Sequence, residues 1–409
     1  MTQTTPQERF GIACHLCGRR VETSALRLGR IPISNGFQKG PTTDRLLDLE
    51  IIECETCGLM QLAEAPIPAL LMPQMPWIRY REPEGHLDAL VGEMIALRPE
   101  ARAALGTGPF EQPLLSRFAG HGLKTQALAL DVATIPDHYP YLESWQASLN
   151  EAHLTDKAAQ VGTADIVSSR YIVEHSPSPV DALRALKRLL NPGGLLLIEV
   201  PDSSKFLAAR DYCFLWEEHS CYFVEETLRR LGEAAGYRVV KVLRYPGALE
   251  DALVAVLEVA ETTSAPQTID APGTSPLFRA YRDGFGATRE LLRARLAEAA
   301  GPNKDRVALF GIGHHAIMFA NAFGLADMIA LAVDDDRDKA GFFPPGFRTP
   351  VVGSDKLLAN MQIRTCLFAV APHIEGRVRD KLAPLAARGV AFHSIYAALD
   401  NSIMKDPAP

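Results

Sequence analysis

Apolar residues recur in two rhythms along this chain. Short apolar runs at Ala103-Leu105, Ala127-Leu130, Ala164-Ser168, Leu195-Val200, Val239-Leu243 and Leu253-Val259 read as strands. Between them lie stretches whose apolar positions fall three and four apart. Leu87, Leu90, Val91, Met94 and Ile95 put one such face on a helix over 84–97, and a second amphipathic stretch runs from Pro179 to Leu190. Asn191-Pro192-Gly193-Gly194 then breaks the helix ahead of the buried strand. This alternation over 85–260 predicts a doubly wound, mainly parallel sheet with its ligand at the carboxyl ends of the strands. The rhythm stops over 261–276, where Thr, Ser, Pro, Gly and Ala dominate and a linker is expected. It resumes with a helix over Phe278–Ala300 and an apolar run, Val307-Phe310, that enters Gly311-Ile312-Gly313. The pattern divides the chain into residues 1–84, 85–260, the linker 261–276, and 277–409, an α/β protein of three domains.

Length agrees, since 409 residues exceed what one ordinary core organises. Hydrophobic residues make up 47% and charged ones 22%, with mean hydropathy near zero, which marks a soluble globular chain. The net charge of -7 and scattered Lys and Arg argue against nucleic acid and leave a small-molecule substrate as the expected partner. No window approaches 18 uninterrupted apolar residues, and the first residues lack a basic patch followed by an apolar core. No membrane contact and a cytoplasmic location are therefore expected.

Four of the seven cysteines form two pairs, Cys14-x2-Cys17 and Cys54-x2-Cys57, with 36 residues between them. A tight turn with two residues between thiolates aims both sulfurs at one ion, and the glycines that follow, Gly18 and Gly58, permit that turn. Two such knuckles predict a closed four-thiolate site for a structural zinc. Single-pair thiol redox chemistry explains only half of the pattern.

Three other stretches carry chemistry. Phe214-Leu215-Trp216-Glu217-Glu218-His219-Ser220-Cys221-Tyr222-Phe223 sets an imidazole beside carboxylates among aromatic residues, surroundings that tune a proton-transfer base toward neutrality. Gly106 and Gly108 follow the first strand of the central domain, and Asp131 ends the second strand 23 residues past Gly108, the spacing of a nucleotide site with an acid for the ribose hydroxyls. Gly311-Ile312-Gly313-His314-His315-Ala316, with Asp334 23 residues after Gly311, fits a dinucleotide fingerprint. His314 and His315 open a helix and either reach the cleft or face solvent.

Thr163 to His175, the amphipathic helix, Asn191 to Gly194 and Leu195 to Pro201 together resemble the second half of class I (Rossmann-like) S-adenosylmethionine (SAM) methyltransferases. With the knuckles, Pro32-Ile33-Ser34-Asn35, Glu218-His219, Val333-Asp334-Asp335 and Lys339-Ala340-Gly341, nearly the whole chain resembles the three-domain, zinc-containing sugar C-methyltransferases. That likeness implies a small zinc-knuckle domain, a class I methyltransferase domain and a C-terminal Rossmann-like domain without a redox cofactor. It implies SAM and structural Zn2+, and a nucleotide-linked keto-deoxysugar as methyl acceptor. His219 would be the base and Glu218 its orienting carboxylate. Gly106, Gly108, Asp131, Ser169 and Tyr171 would lie near SAM, while Tyr80, Trp216 and Tyr222 would face the substrate. The chain departs from the family's acidic strand end and Asn-Asp-Gly turn at Leu105-Gly106-Thr107-Gly108-Pro109-Phe110-Glu111, and Trp216 stands where the family favours tyrosine. Two alternatives stay open: a non-catalytic three-domain scaffold that has lost SAM, and an NAD-dependent enzyme using the Gly311 turn.

Overall fold

The computed structural model describes residues 12–22, 24–40, 44–71, 82–129, 142–260 and 275–405. Tyr80, Asp131 and most of the expected linker lie outside the described residues. Among the described residues no helix is long and apolar enough to cross a membrane.

The central sheet has six strands: β1 Ala103–Gly106, β2 Lys124–Ala127, β3 Ala164–Arg170, β4 Leu190–Asp202, β5 Tyr237–Tyr245 and β6 Asp251–Val259. Their order across the sheet is β5-β6-β4-β3-β1-β2, with β1 to β4 parallel and β5 and β6 antiparallel at one edge. β1 pairs with β2 on one side and β3 on the other, so the winding reverses at the β1–β3 boundary. Ligands of such sheets bind in the crevice at that reversal. The interior strands are apolar on both faces, because helices cover both. Leu87–Leu97 buries Leu87, Leu90, Val91 and Met94 against one face, as its spacing predicts.

Two local expectations are corrected. The second strand was expected at Ala127–Leu130 and runs instead over Lys124–Ala127, an edge strand whose partly exposed side chains give no apolar run. Asn191 to Gly194 does not form a break between helix and strand. The helix ends at Leu186, a 3-10 turn covers Lys187–Leu189, and these residues form a bulge at the start of β4, where pairing jumps from Ala164–Leu190 to Ile166–Leu195.

The N-terminal region contributes Leu26–Pro32, Leu46–Glu53 and Met60–Leu62 to an antiparallel sheet. Its fourth strand, Cys221–Tyr222, comes from the central part of the chain and pairs with Gln61 and Met60. The adjacent Phe223 bridges back to Asp202 of β4. The C-terminal region is a five-stranded parallel sheet in the order Val351–Val352, Leu331–Val333, Val307–Phe310, Thr365–Phe368, Ala391–Ser394. The 25-residue helix Pro276–Ala300 packs beside it, and one continuous core joins Leu26, Ile31 and Leu49 with Phe206, Phe214 and Tyr222 and with Phe278, Ile317 and Tyr396.

Candidate functional site

The cysteine quartet forms as its spacing predicts. In each knuckle the Gly18 and Gly58 amides donate to the Cys14 and Cys54 carbonyls at 2.9 and 2.8 Å, and both glycines have positive φ, 70° and 76°. The Leu16 and Cys17 amides point at the Cys14 sulfur at 3.4 and 3.5 Å. Cys14 and Cys57 sulfurs stand 3.4 Å apart and Cys17 and Cys54 sulfurs 3.6 Å apart. A tetrahedral zinc with bonds of about 2.3 Å requires sulfur–sulfur edges of about 3.8 Å, so the four side chains fit the ion with little movement. Contacts within the quartet pull the Cys17 and Cys54 thiols down, chiefly through Cys14, and push Cys14 and Cys57 up, chiefly through Cys17 and Cys14 respectively. Four close thiolates need a cation, and a closed set of sulfurs leaves no position for substrate.

The aromatic run Phe214–Phe223 lies at the carboxyl edge of the central sheet, where all three regions meet. His219 is half-buried, with its ring 4.7 Å edge-on from His175 and 5.1 Å in a stack from Trp216. The ligating atoms of Glu174, His175 and His219 all lie within 4.8 Å of one another. Burial first, and then His175, His314 and His315, hold the His219 pKa well below the usual imidazole range. The expected tuning toward neutrality by adjacent carboxylates is thus corrected. His219 rests uncharged, and its electrostatic neighbours are imidazoles. Glu218 is buried, and the Glu174 carboxylate lies within 4.8 Å of a His219 ring nitrogen.

Trp216 stacks on His314 with ring centres 3.6 Å apart. Its backbone is fixed by Tyr222, whose hydroxyl accepts from the Trp216 amide at 2.7 Å and donates to the Trp216 carbonyl at 2.9 Å. Tyr222 therefore braces the aromatic wall, with its hydroxyl committed to backbone. Glu217 reaches the N-terminal region: one of its carboxylate oxygens accepts from the Ser34 amide at 2.6 Å and the Ser34 hydroxyl at 2.5 Å. The same hydroxyl meets His314 Nδ1 at 2.7 Å, and His315 Nδ1 meets the Tyr396 hydroxyl at 3.0 Å. The alternative of solvent-facing histidines is corrected, since both rings are enclosed by this contact between regions, and burial pushes both pKa values down. Sequence reasoning assigned no role to Ser34, Glu174 or His175. The adjacent Glu174-His175 pair, just past a strand's carboxyl end, was the available signal.

The glycine turn after β1 is close-packed. Gly106 ends the strand, and Glu111 folds back over it: a Cβ placed on Gly106 would stand 2.4 Å from the Glu111 Cβ. A Cβ on Gly108 would stand 3.1 Å from Ile172. Glu111 is fully buried, accepts from the Ser168 hydroxyl at 2.5 Å and from the Arg170 amide at 2.9 Å, and is pushed up to about 7 by burial. Ser169 is buried, with its hydroxyl lacking a hydrogen-bond partner. Tyr171 is buried with a positive φ of 53° and donates its amide to the Glu199 carbonyl. Arg170 is held by both Glu199 oxygens, at 2.5 and 3.2 Å, and by the Phe110 and Pro83 carbonyls.

The C-terminal glycine turn is filled in a different way. Gly311 has φ 92°, and a Cβ there would meet Val370 at 2.7 Å and the Ala369 carbonyl at 2.9 Å. The fingerprint acid, Asp334, accepts from the Ile312 amide at 2.9 Å and from Lys339 at 2.8 Å. Its carboxylate thus closes the turn from within.

Three families match consecutive parts of the chain: a putative zinc binding domain over 14–71, a methyltransferase domain over 105–242 and a C-methyltransferase C-terminal domain over 258–395. The C-methyltransferase NovU of Streptomyces niveus is 25% identical over 241 residues, which cover 56% of each chain. The chain thus spans little more than half the length of that curated relative. Among solved structures, a SAM-dependent methyltransferase from Archaeoglobus fulgidus aligns at 13% identity and a TM-score of 0.32, covering 44% of this chain and 96% of its own. The 1,6-didemethyltoxoflavin N1-methyltransferase of Burkholderia thailandensis, solved with S-adenosylhomocysteine, aligns at 16% identity and a TM-score of 0.31, covering 44% and 80%.

Proposed function

We propose that the chain is a member of the three-domain, zinc-containing C-methyltransferases and that it transfers a methyl group from SAM to carbon in a small polar acceptor, a nucleotide-linked keto-deoxysugar; the three family matches along the chain support this reading. The observation that carries this reading is the imidazole cluster around His219, set at the carboxyl edge of a doubly wound sheet and walled by residues from all three regions.

A carbon next to a ketone becomes a nucleophile only when it loses a proton. His219, uncharged at neutral pH, would accept that proton, with the Glu174 carboxyl group beside it. Trp216, braced by Tyr222 and stacked on His314, forms the flat wall against which a sugar ring would lie. Glu218 remains the proposed orienting group, and Tyr80 and Asp131 the proposed hydroxyl donor and ribose acceptor. SAM supplies an electrophilic methyl group when bound. Gly106 and Gly108 at the end of β1, and Ser169 with its unpartnered hydroxyl and Tyr171 at and just past the end of β3, line the crevice that would hold it. The residues fit SAM on one condition, that the Glu111 side chain yields. The zinc quartet holds the N-terminal sheet, to which the strand after His219 is paired, and takes no part in the transfer.

The test is His219→Ala, with two readouts. Exchange of the acidic carbon proton into D2O, followed by NMR without SAM, should stop in the variant, while calorimetric affinity for S-adenosylhomocysteine stays within about threefold. Undiminished exchange would remove His219 as the base.

One observation favours a second reading. Glu111 fills the place of a cofactor, as a non-catalytic three-domain binding subunit would allow. Absence of calorimetric binding to both SAM and S-adenosylhomocysteine would select it.

A further inference from the structure

The crevice between β1 and β3 is the one place in the central sheet where winding reverses, and it is occupied by the chain itself. Three facts define the occupant. Glu111 covers Gly106 so closely that the glycine is required by Glu111, with its Cβ and Cγ 2.4 and 2.5 Å from where a Gly106 side chain would begin. Its carboxylate engages two donors at the end of β3, the Ser168 hydroxyl and the Arg170 amide, which are the kind of group that would receive the carboxylate of an amino-acid-bearing ligand. Finally, Glu111 precedes the helix Gln112–Gly120 as its N-cap yet makes no capping hydrogen bond, so its side chain is not tied to that helix.

We propose that Glu111 is a stand-in for the methionyl carboxylate of SAM and sets the affinity for the cofactor, which enters only as this side chain swings out of the β1–β3 crevice. The proposal rests on the methyltransferase reading above. Departure of the Glu111 carboxylate uncovers Gly108, which its Oε1 now faces, and frees the Ser168 hydroxyl and the Arg170 amide for a ligand. Little else has to break. The Arg170 guanidinium keeps both Glu199 oxygens and the Phe110 and Pro83 carbonyls. The same carboxylate that competes with SAM also explains why the turn retains two glycines while lacking an acid at the end of β1.

The experiment is titration calorimetry of the full chain with SAM and with S-adenosylhomocysteine, on the native protein, Glu111→Ala and Glu111→Gln, each checked for a native melting transition. Glu111→Ala should bind at least about tenfold more tightly than the native chain, a gain of about 1.4 kcal/mol, whereas Glu111→Gln, which keeps the bulk, should stay within about threefold. Equal affinity of native and Glu111→Ala chains overturns the proposal and leaves the methyltransferase reading standing. No binding by any of the three overturns both. A structure of the native chain with S-adenosylhomocysteine decides independently of any variant: the Glu111 carboxylate should be displaced from Ser168 and Arg170, and a bound ligand with both of those hydrogen bonds still in place refutes the proposal.

Discussion

Two turns of this molecule look alike in sequence and differ in what fills them. Each follows a buried parallel strand, each has glycines two apart, and each leads into a helix. At Gly106 the filler is one side chain, Glu111, whose Cβ and Cγ press on the glycine and whose carboxylate is held by two hydrogen bonds. At Gly311 the filler is backbone and a β-branched side chain of the next strand's exit, Ala369 and Val370, and the acid that would meet a ribose is bonded to the turn's own amide and to Lys339. The carboxylate can rotate away while its Cβ stays, whereas no part of a packed strand end can. The lesson is that a glycine turn reveals its role only through what presses on it. By that criterion the central turn suits the proposed ligand site, and the C-terminal turn is closed by its own structure next to His314.

The cysteine knuckles are the control, since their glycines do serve a ligand. Chelation should have the largest effect of all: structural zinc contributes about 10–16 kcal/mol in small domains, so the N-terminal sheet should lose its amide protection in hydrogen exchange. Retained protection over Leu46–Glu53 in metal-free protein would refute a structural zinc. Next in size is Gly311→Ala. The strain of a positive φ adds to overpacking against backbone, and about 3 kcal/mol should be lost in denaturant melts. Truncating Val370 should not restore it, because the Ala369 carbonyl remains.

Glu111 supplies a pH test of similar scale. Its pKa is raised from 4.5 to about 7, by burial first and with Arg170 opposing. The protonated form therefore favours the folded state: this contribution is full below pH 4.5 and is lost as pH rises through 7. At about 1.4 kcal/mol per unit the span corresponds to about 3 kcal/mol. Glu111→Gln should flatten the decline of melting temperature between pH 5 and 8, and an unchanged slope would place the charge elsewhere. The smallest effect is the sharpest for the comparison. Gly106→Ala should cost about 2 kcal/mol alone and within about 0.5 kcal/mol of nothing in a Glu111→Gly background, which also removes the Glu111 Cβ that lies 2.4 Å away. A cost that persists in the double variant would erase the difference between the two turns.

What the sequence made legible follows the range of the interactions. The zinc quartet depends on two local turns, and its spacing was sufficient. β1, β3, β4 and β6 are buried on both faces and stand out as apolar runs, whereas β2 lies at the edge with Lys124 exposed and left no such run. The three-domain order was legible as a resemblance, and the matching families bear it out. The surroundings of His219 were not legible. Ser34 and His314 are 280 positions apart, and only the closure of the cleft brings them to 2.7 Å. Glu111 appeared as an odd loop residue because the partners that define it, Ser168 and Arg170, lie 57 and 59 positions away. The resting charge of His219 was misjudged for the same reason. The adjacent carboxylates were visible in the sequence, and the burial that chiefly depresses its pKa, with the three imidazoles that add to it, was not.

The short strand Cys221–Tyr222 has a bearing on how this protein can be taken apart. It belongs by connectivity to the central region and by hydrogen bonding to the N-terminal sheet, so the edge of one module is completed by the next. Modules that are separate in sequence are therefore not interchangeable parts. A chimera that imports residues 1–84 from a relative must also import a matching 216–223, or it will set the proposed base against a wall built for another protein.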